Sequence, residues 1–156
     1  MITNTLEQRI QALEDRAALR DLIDTFAYLG DKKDIATQMT LFTEDATVDT
    51  YFGDELFAST KGRAKIHEVF TGFIANFETL YHFNGQQTPT ISGDAATATY
   101  YGLVVLISDA NGQKTRNTNG VIYQDEYIRR NGQWMIAKRV SRFSWRDFEA
   151  MQAQPA

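Results

Sequence analysis

The chain is predicted to fold as one α+β domain, in which a long first helix and two shorter helices sit against a curved antiparallel sheet coiled into a cone. Three observations carry this. Helical periodicity fills the first half and β-branched, alternating stretches fill the second, which segregates helices from sheet. Asn111-Gly112 and Asn131-Gly132 are hairpin signals that fold the second half into a meander. Two of the strands so bounded run to about 14 to 16 residues, long enough that they must twist and coil.

Residues 5–29 read as an amphipathic helix. Leu6, Ile10, Leu13 and Ala17 recur at three- and four-residue steps, and Leu19, Leu22, Ile23 and Phe26 continue the stripe. Asn4 or Thr5 can cap it, with Glu7 and Gln8 three residues on, and Gly30 ends it. Asp31 opens a short second helix with Ile35, Met39 and Phe42 on one face. Residues 43–45 then turn, and 46–52 alternate as a strand. A third helix covers 61–77, with Ile66, Val69, Phe70, Phe73 and Phe77 on one side. Strands follow at 79–91, 95–108, 114–129 and 133–142. A short C-terminal helix through Trp145 and Phe148 and a frayed tail from Gln152 are expected after them. Gly85, Gly102 and Gly120 lie inside strands, where glycine marks a bulge or sharp bend, and Pro89 marks an edge strand or bulge. A long bent sheet wrapped on a helix encloses a space that its own side chains need not fill.

The 156 residues suit a single domain, 1–156, with one core. A net charge of −4 gives no electrostatic reason to expect nucleic acid or an anionic membrane as a partner. No window approaches the ~18 apolar residues of a membrane span. The opening MITNTLEQRI has neither an apolar run nor a basic leader, so a cytoplasmic location is expected. With no cysteine, disulfides, thiolate chemistry and Cys-ligated metals are excluded. The two His residues are not spaced as a metal pair, and there is no Gly-rich phosphate loop or Gly-x-Ser-x-Gly elbow. Neither metal nor cofactor is expected.

His82 shares a strand face with Leu80, Asn84 and Gln86. An imidazole ordinarily titrates near ~6.5, which suits proton transfer at neutral pH; the plain alternative is a structural or surface His. Asp31 follows Gly30 and precedes a helix, so it can act as a cap, or it can hold one His82 nitrogen and fix the tautomer. Tyr51 can donate to a developing enolate oxygen or simply pack at a strand end. Tyr28 lies near the helix end and can also reach the pocket. Tyr100, Tyr101 and Tyr123 alternate along strands, so some of them face inward, and Asn117 and Asn119 share the face of Tyr123. Phe26, Phe42, Phe70, Phe73 and Phe83 are available to line or back an apolar cavity. His67 reads as surface or packing.

The order of "LFTEDATVDTY" (41–51), "KGRAKIHEVF" (61–70), "YHFNGQQTPTISGDAATATYY" (81–101) and "NGQWMIAKRVSRFSW" (131–145) after a long first helix resembles the SnoaL-like branch of the nuclear-transport-factor-two-like superfamily. The resemblance implies a cystatin-like α+β barrel. Within the superfamily the pattern is most similar to scytalone dehydratase and bile-acid 7α-dehydratase, which pair an Asp at the end of the first helix with a His early in the sheet. Asp31 and His82 match these, and Tyr51 matches a tyrosine that polarises the substrate carbonyl. Phe26 stands where some relatives have Tyr. Ile107, Val105, Val121 and Tyr123 stand where the dehydratases have further polar partners. A C-terminal Arg of that pattern has candidates in Arg139 and Arg142.

The resulting expectation is a cofactor-independent dehydratase or isomerase acting on a small apolar cyclic compound, with Asp31, His82 and Tyr51 catalytic. Tyr28, Phe26, Phe42, Phe70, Phe73, Tyr123, Asn119 and Arg142 would contact the substrate. The alternative is a non-catalytic ligand-binding or interaction domain of the same fold. The strand 95–108 is apolar on both registers, Tyr101, Leu103, Val105 and Ile107 against Tyr100, Val104 and Leu106. A homodimer or homotrimer through the sheet is therefore expected.

Overall fold

The computed structural model describes residues 4–153. The elements run α1 (Leu6–Asp31), α2 (Ile35–Met39), β1 (Phe42–Phe52), β2 (Glu55–Lys61), α3 (Arg63–Ile74), β3 (Thr79–Ser92), β4 (Ala95–Ala110), β5 (Gln113–Arg130) and β6 (Gln133–Ala150). The six strands form one sheet in the order β2-β1-β6-β5-β4-β3, antiparallel except where β1 runs parallel to β6. The sheet is curved and not closed, and the helices occupy its concave face. No helix among the described residues is long and apolar enough to cross a membrane.

α1 starts at a capping box: Thr5 accepts from the Gln8 backbone and Gln8 returns a bond to the Thr5 backbone. Its buried face is Asp15, Leu19, Leu22, Ile23, Phe26 and Gly30. The expected continuous stripe is two stripes. Leu6, Ile10 and Leu13 are exposed, because at 100° per residue they point roughly opposite to Leu19, Ile23 and Phe26. The helix seats through Asp15, which accepts from Arg129 and from the Trp134 indole. Farther along, Arg20 donates to the carbonyls of Asn84 and Gly85, where β3 bulges.

Three expectations are corrected. The strand expected at 46–52 starts at Phe42 and hairpins at Gly53 into β2, which the sequence reading omitted; only one β2 residue, Thr60, is buried, so no alternating burial announces it. α3 is shorter than 61–77, spanning Arg63–Ile74. No C-terminal helix forms: β6 continues through Trp145 and Phe148 and pairs with β5 as far as Ala150 opposite Thr115. That extension satisfies the backbone of both strands, and an Arg116–Glu149 ion pair joins them.

The bulges set which side chains face inward. β3 slips between Asn84 and Gln87, beside Gly85. Pro89 sits on β3, one of the sheet's two edge strands, where a missing N–H is tolerated. β6 slips twice against β5, at Ala137 and at Ser144, because Tyr127 pairs with Ile136 and Val121 with Phe143. Gly120 must lack a side chain: a Cβ there would lie 2.0 Å from the Trp145 indole nitrogen, which covers it on the convex face.

Candidate active site

A cavity of about 210 Å³ lies between the concave face of the sheet and the helices. Its wall is mostly apolar. Ile23 and Phe26 come from α1, Ile35 from α2, Phe70 and Phe73 from α3, and Val48, Leu80, Leu106 and Phe143 from the sheet. Phe42 backs this wall, edge-on to Phe26 at 5.3 Å and to Phe70 at 6.2 Å between ring centres. Such edge-to-face pairs hold aromatic walls apart at fixed spacing.

His82 projects into this cavity from β3. Its Nδ1 lies 2.5 Å from Asp31 Oδ1, and its backbone N–H donates to Asp31 Oδ2 at 3.0 Å. Asp31 is the last residue of α1 and stands behind the imidazole. One carboxylate thus grips both the ring and the backbone of residue 82, which fixes the ring's orientation. With Nδ1 committed as donor to a carboxylate, Nε2 is the basic nitrogen. Next along the strand face, Asn84 donates to Asp24 Oδ1 and to the Ile23 carbonyl.

Opposite stands a buried cluster on β4, β5 and β6. Arg139 donates from Nε and Nη2 to the two oxygens of Asp125, at 2.9 and 2.7 Å, and Tyr127 donates to Asp125 as well. The Arg139 guanidinium lies 4.2 Å from the centre of the Phe26 ring and 5.2 Å from that of Tyr123. Burial alone would favour losing its proton, but the Asp125 carboxylate outweighs this and holds it charged. Tyr100 and Tyr123 stack at 4.6 Å and both line the cavity. Burial pushes the Tyr100 hydroxyl well above its ordinary range and that of Tyr123 up to about 12, against the opposing pull of Arg139. Both hydroxyls therefore stay protonated at neutral pH. Gln38 adds a buried amide whose Nε2 donates to the Phe26 carbonyl and whose Oε1 has no partner.

Several expected site residues face elsewhere. Tyr51 points from β1 to the convex side, where its ring lies 4.5 Å from the Arg142 guanidinium. Arg142 is therefore also outside the cavity, and it bonds the Gly53 carbonyl. Of the two C-terminal arginine candidates, Arg139 lines the cavity. Tyr28 is exposed beneath Lys32, and Phe83 is exposed on the convex face. Asn119 is fully buried behind the wall, donating to the Val104 and Asn117 carbonyls. Phe26, Phe70, Phe73 and Tyr123 line the cavity.

Arg146 escaped the sequence reading. Even-numbered Arg142 faces out, and strict alternation would send Arg146 the same way. The extra residue Ser144 reverses the parity, and Arg146 turns inward to pair with Asn119. No group of three His, Asp or Glu able to hold a metal ion is gathered among the described residues.

Fold and cavity together define a cone-shaped α+β pocket protein with a carboxylate-held imidazole on its inner wall. The chain belongs to the SnoaL-like domain family, whose model matches residues 11–140. No protein of curated function matches it in sequence. Among solved structures, it is similar to a protein of Novosphingobium aromaticivorans assigned as a scytalone dehydratase (18% identity, TM-score 0.78, covering 91% of this chain and 92% of that one). An NTF2-like protein with a cystatin-like fold from the same organism is 25% identical, at TM-score 0.72 over 90% and 91% of the two chains. A hexachlorocyclohexane dehydrochlorinase of Novosphingobium barchaimii is 19% identical, at TM-score 0.76 over 94% and 99%.

Proposed function

We propose that this protein is a cofactor-independent lyase or isomerase that moves a proton on a small, apolar, cyclic substrate. The observation that carries the proposal is the 2.5 Å contact between Asp31 Oδ1 and His82 Nδ1 at the wall of an apolar cavity. His82 Nε2 removes a proton α to a carbonyl, and Asp31 stabilises the imidazolium that results. Tyr100 and Tyr123, kept protonated by burial, replace Tyr51 as donors to the enolate oxygen. In the dehydratase direction, the electron pair of the broken C–H bond forms the new double bond. The β C–O bond breaks, and the departing hydroxide leaves as water with the imidazolium's proton. In the isomerase direction the same proton returns at the γ carbon, and nothing is released. The dehydratase and dehydrochlorinase names among the similar structures support this class of chemistry.

The test is a panel of hydroxy-ketones and unsaturated cyclic ketones assayed with wild type, His82→Ala and Asp31→Asn. Wild type is expected to turn over at least one compound. His82→Ala should lose about 10²–10⁴-fold in kcat, the range a positioned general base supplies. Asp31→Asn should lose comparably with KM little changed. A wild type inert on the whole panel would sink the enzyme reading and leave ligand binding.

We further propose that the protein self-associates through the convex face of the sheet. Tyr81, Phe83, Tyr101, Leu103 and Trp145 are exposed there, and a groove at Gly102 and Gly120 lies among them. Light scattering at micromolar concentration should report a dimer or trimer, and Phe83→Glu with Tyr101→Glu should return a monomer. A monomeric wild type refutes it.

A further inference from the structure

We infer that Arg146 docks a carboxylate carried by the substrate, so that the ligand is an amphiphilic anion with its ring inside the cavity and its charge at the β6 end. The inference rests on the cavity being the ligand site, and not on the chemistry proposed for it.

The cavity is lined by two guanidinium groups, and their states differ. Arg139 is buried and neutralised by a bidentate bond to Asp125. Arg146 has no carboxylate within ion-pair distance among the described residues. Its neighbours on the strand do not serve it: Asp147 projects to the other face, and Glu149 pairs with Arg116. Asp54, on the β1–β2 turn, pairs with Arg142.

Arg146 is nevertheless held in place. Its Nε donates to Asn119 Oδ1 at 3.3 Å. Asn119 is itself anchored, with no exposed surface, by its bonds to the Val104 and Asn117 carbonyls. The guanidinium lies 4.5 Å from the centre of the Phe52 ring and 5.0 Å from that of Phe148. Asn119 takes only Nε, so the two Nη groups keep their N–H donors for an outside acceptor. A guanidinium fixed on one edge and stacked on aromatic rings offers its other edge as a planar fork, the geometry that matches a carboxylate. Arg146 is exposed at the cavity's edge, where a guanidinium with no carboxylate partner among the described residues favours an anionic ligand over a neutral one.

The apolar wall decides the rest. A carboxylate cannot sit among Ile23, Phe26, Phe70 and Leu106 without losing its hydration uncompensated. The charge therefore stays with Arg146, and the ring goes inward toward His82.

The experiment is calorimetric binding of three probes: 2-naphthoate, its methyl ester and 2-acetonaphthone. They are tested with wild type, Arg146→Met, Arg146→Lys and His82→Ala. Wild type is expected to bind naphthoate at least tenfold more tightly than the ester or ketone, with the preference shrinking as salt rises. Arg146→Met should abolish that preference while binding the two neutral probes within twofold of wild type. Arg146→Lys should keep only part of it, because an ammonium is a point charge without the fork. His82→Ala should keep all of it, which separates this inference from the catalytic reading. Equal binding of all probes by wild type, an undiminished preference in Arg146→Met, or no binding of any probe would each overturn it.

Discussion

Asp31 and His82 are far apart in the chain, yet the last residue of α1 and the fourth residue of β3 share two hydrogen bonds. The doubled contact makes Asp31 both an orienting carboxylate and a clamp on the strand. Arg139 and Asp125 form a second buried pair, almost without exposed surface. Removing one partner of such a pair strands the other charge in an apolar setting. Arg139→Met should therefore destabilise the fold by about 3–5 kcal/mol in denaturant unfolding. The double variant with Asp125→Leu should recover much of that loss, because no charge is then left buried. If the double variant is the worse of the two, the pair is a net stabiliser and the argument fails. The pairing of Asp31 with His82 was expected from the resemblance to the dehydratases, whereas position alone left Asp31 as a helix cap and His82 as a structural or surface His. Tyr51 and Arg142 were misplaced together: they pair across β1 and β6 and share the convex face. No single-residue property distinguishes inward from outward on a strand; only the register does.

Helix α1 was readable because capping and periodicity are local. The split of its apolar stripe was not, since Leu6, Ile10 and Leu13 look as core-like as Leu19 and Phe26 until the body of the protein occupies one side. β6 was cut short in the reading for a similar reason. Trp145 and Phe148 have helical spacing, but the open backbone of β5 offered hydrogen bonds that a short amphipathic helix could not match. The bulge at Ser144 then decides which of these side chains enters the cavity. Deleting Ser144 removes the bulge but leaves Trp145 opposite Gly120 and Arg146 opposite Asn119, so Arg146 should stay on the concave face. The shortened protein is expected to keep both the naphthoate preference and its far-ultraviolet circular dichroism, and a lost preference would refute this register. Gly120→Val tests the same strand pair from the other side. It should displace the Trp145 indole, red-shift its fluorescence and cost a few kcal/mol, in line with other overpacking changes. An unshifted spectrum would refute the close approach.

Across the whole molecule, the titratable interior is dominated by Tyr100, Tyr123 and Tyr127, all raised by burial. A phenol whose folded pKa exceeds its unfolded value of about 10 contributes stability that is complete below pH ~10. That contribution is lost as pH climbs through the folded value, which for Tyr123 is about 12. Unfolding free energy should therefore fall steeply between about pH 10 and 12, and these three phenols should ionise only as the protein opens. Ultraviolet titration showing all 7 tyrosines ionising together near pH 10 in the folded protein would contradict this. The pairing of β1 with β6 also sets an order of events during synthesis. Strand β1 emerges early, but its neighbour on one side is the last strand of the chain. At typical elongation rates it waits roughly 5–20 seconds for that neighbour. Until then Phe42, Ala46 and Val48 have no β6 beside them, and the Arg139 and Arg146 side of the chamber does not exist. The cavity is thus complete only once β6 has been made and has paired with β1.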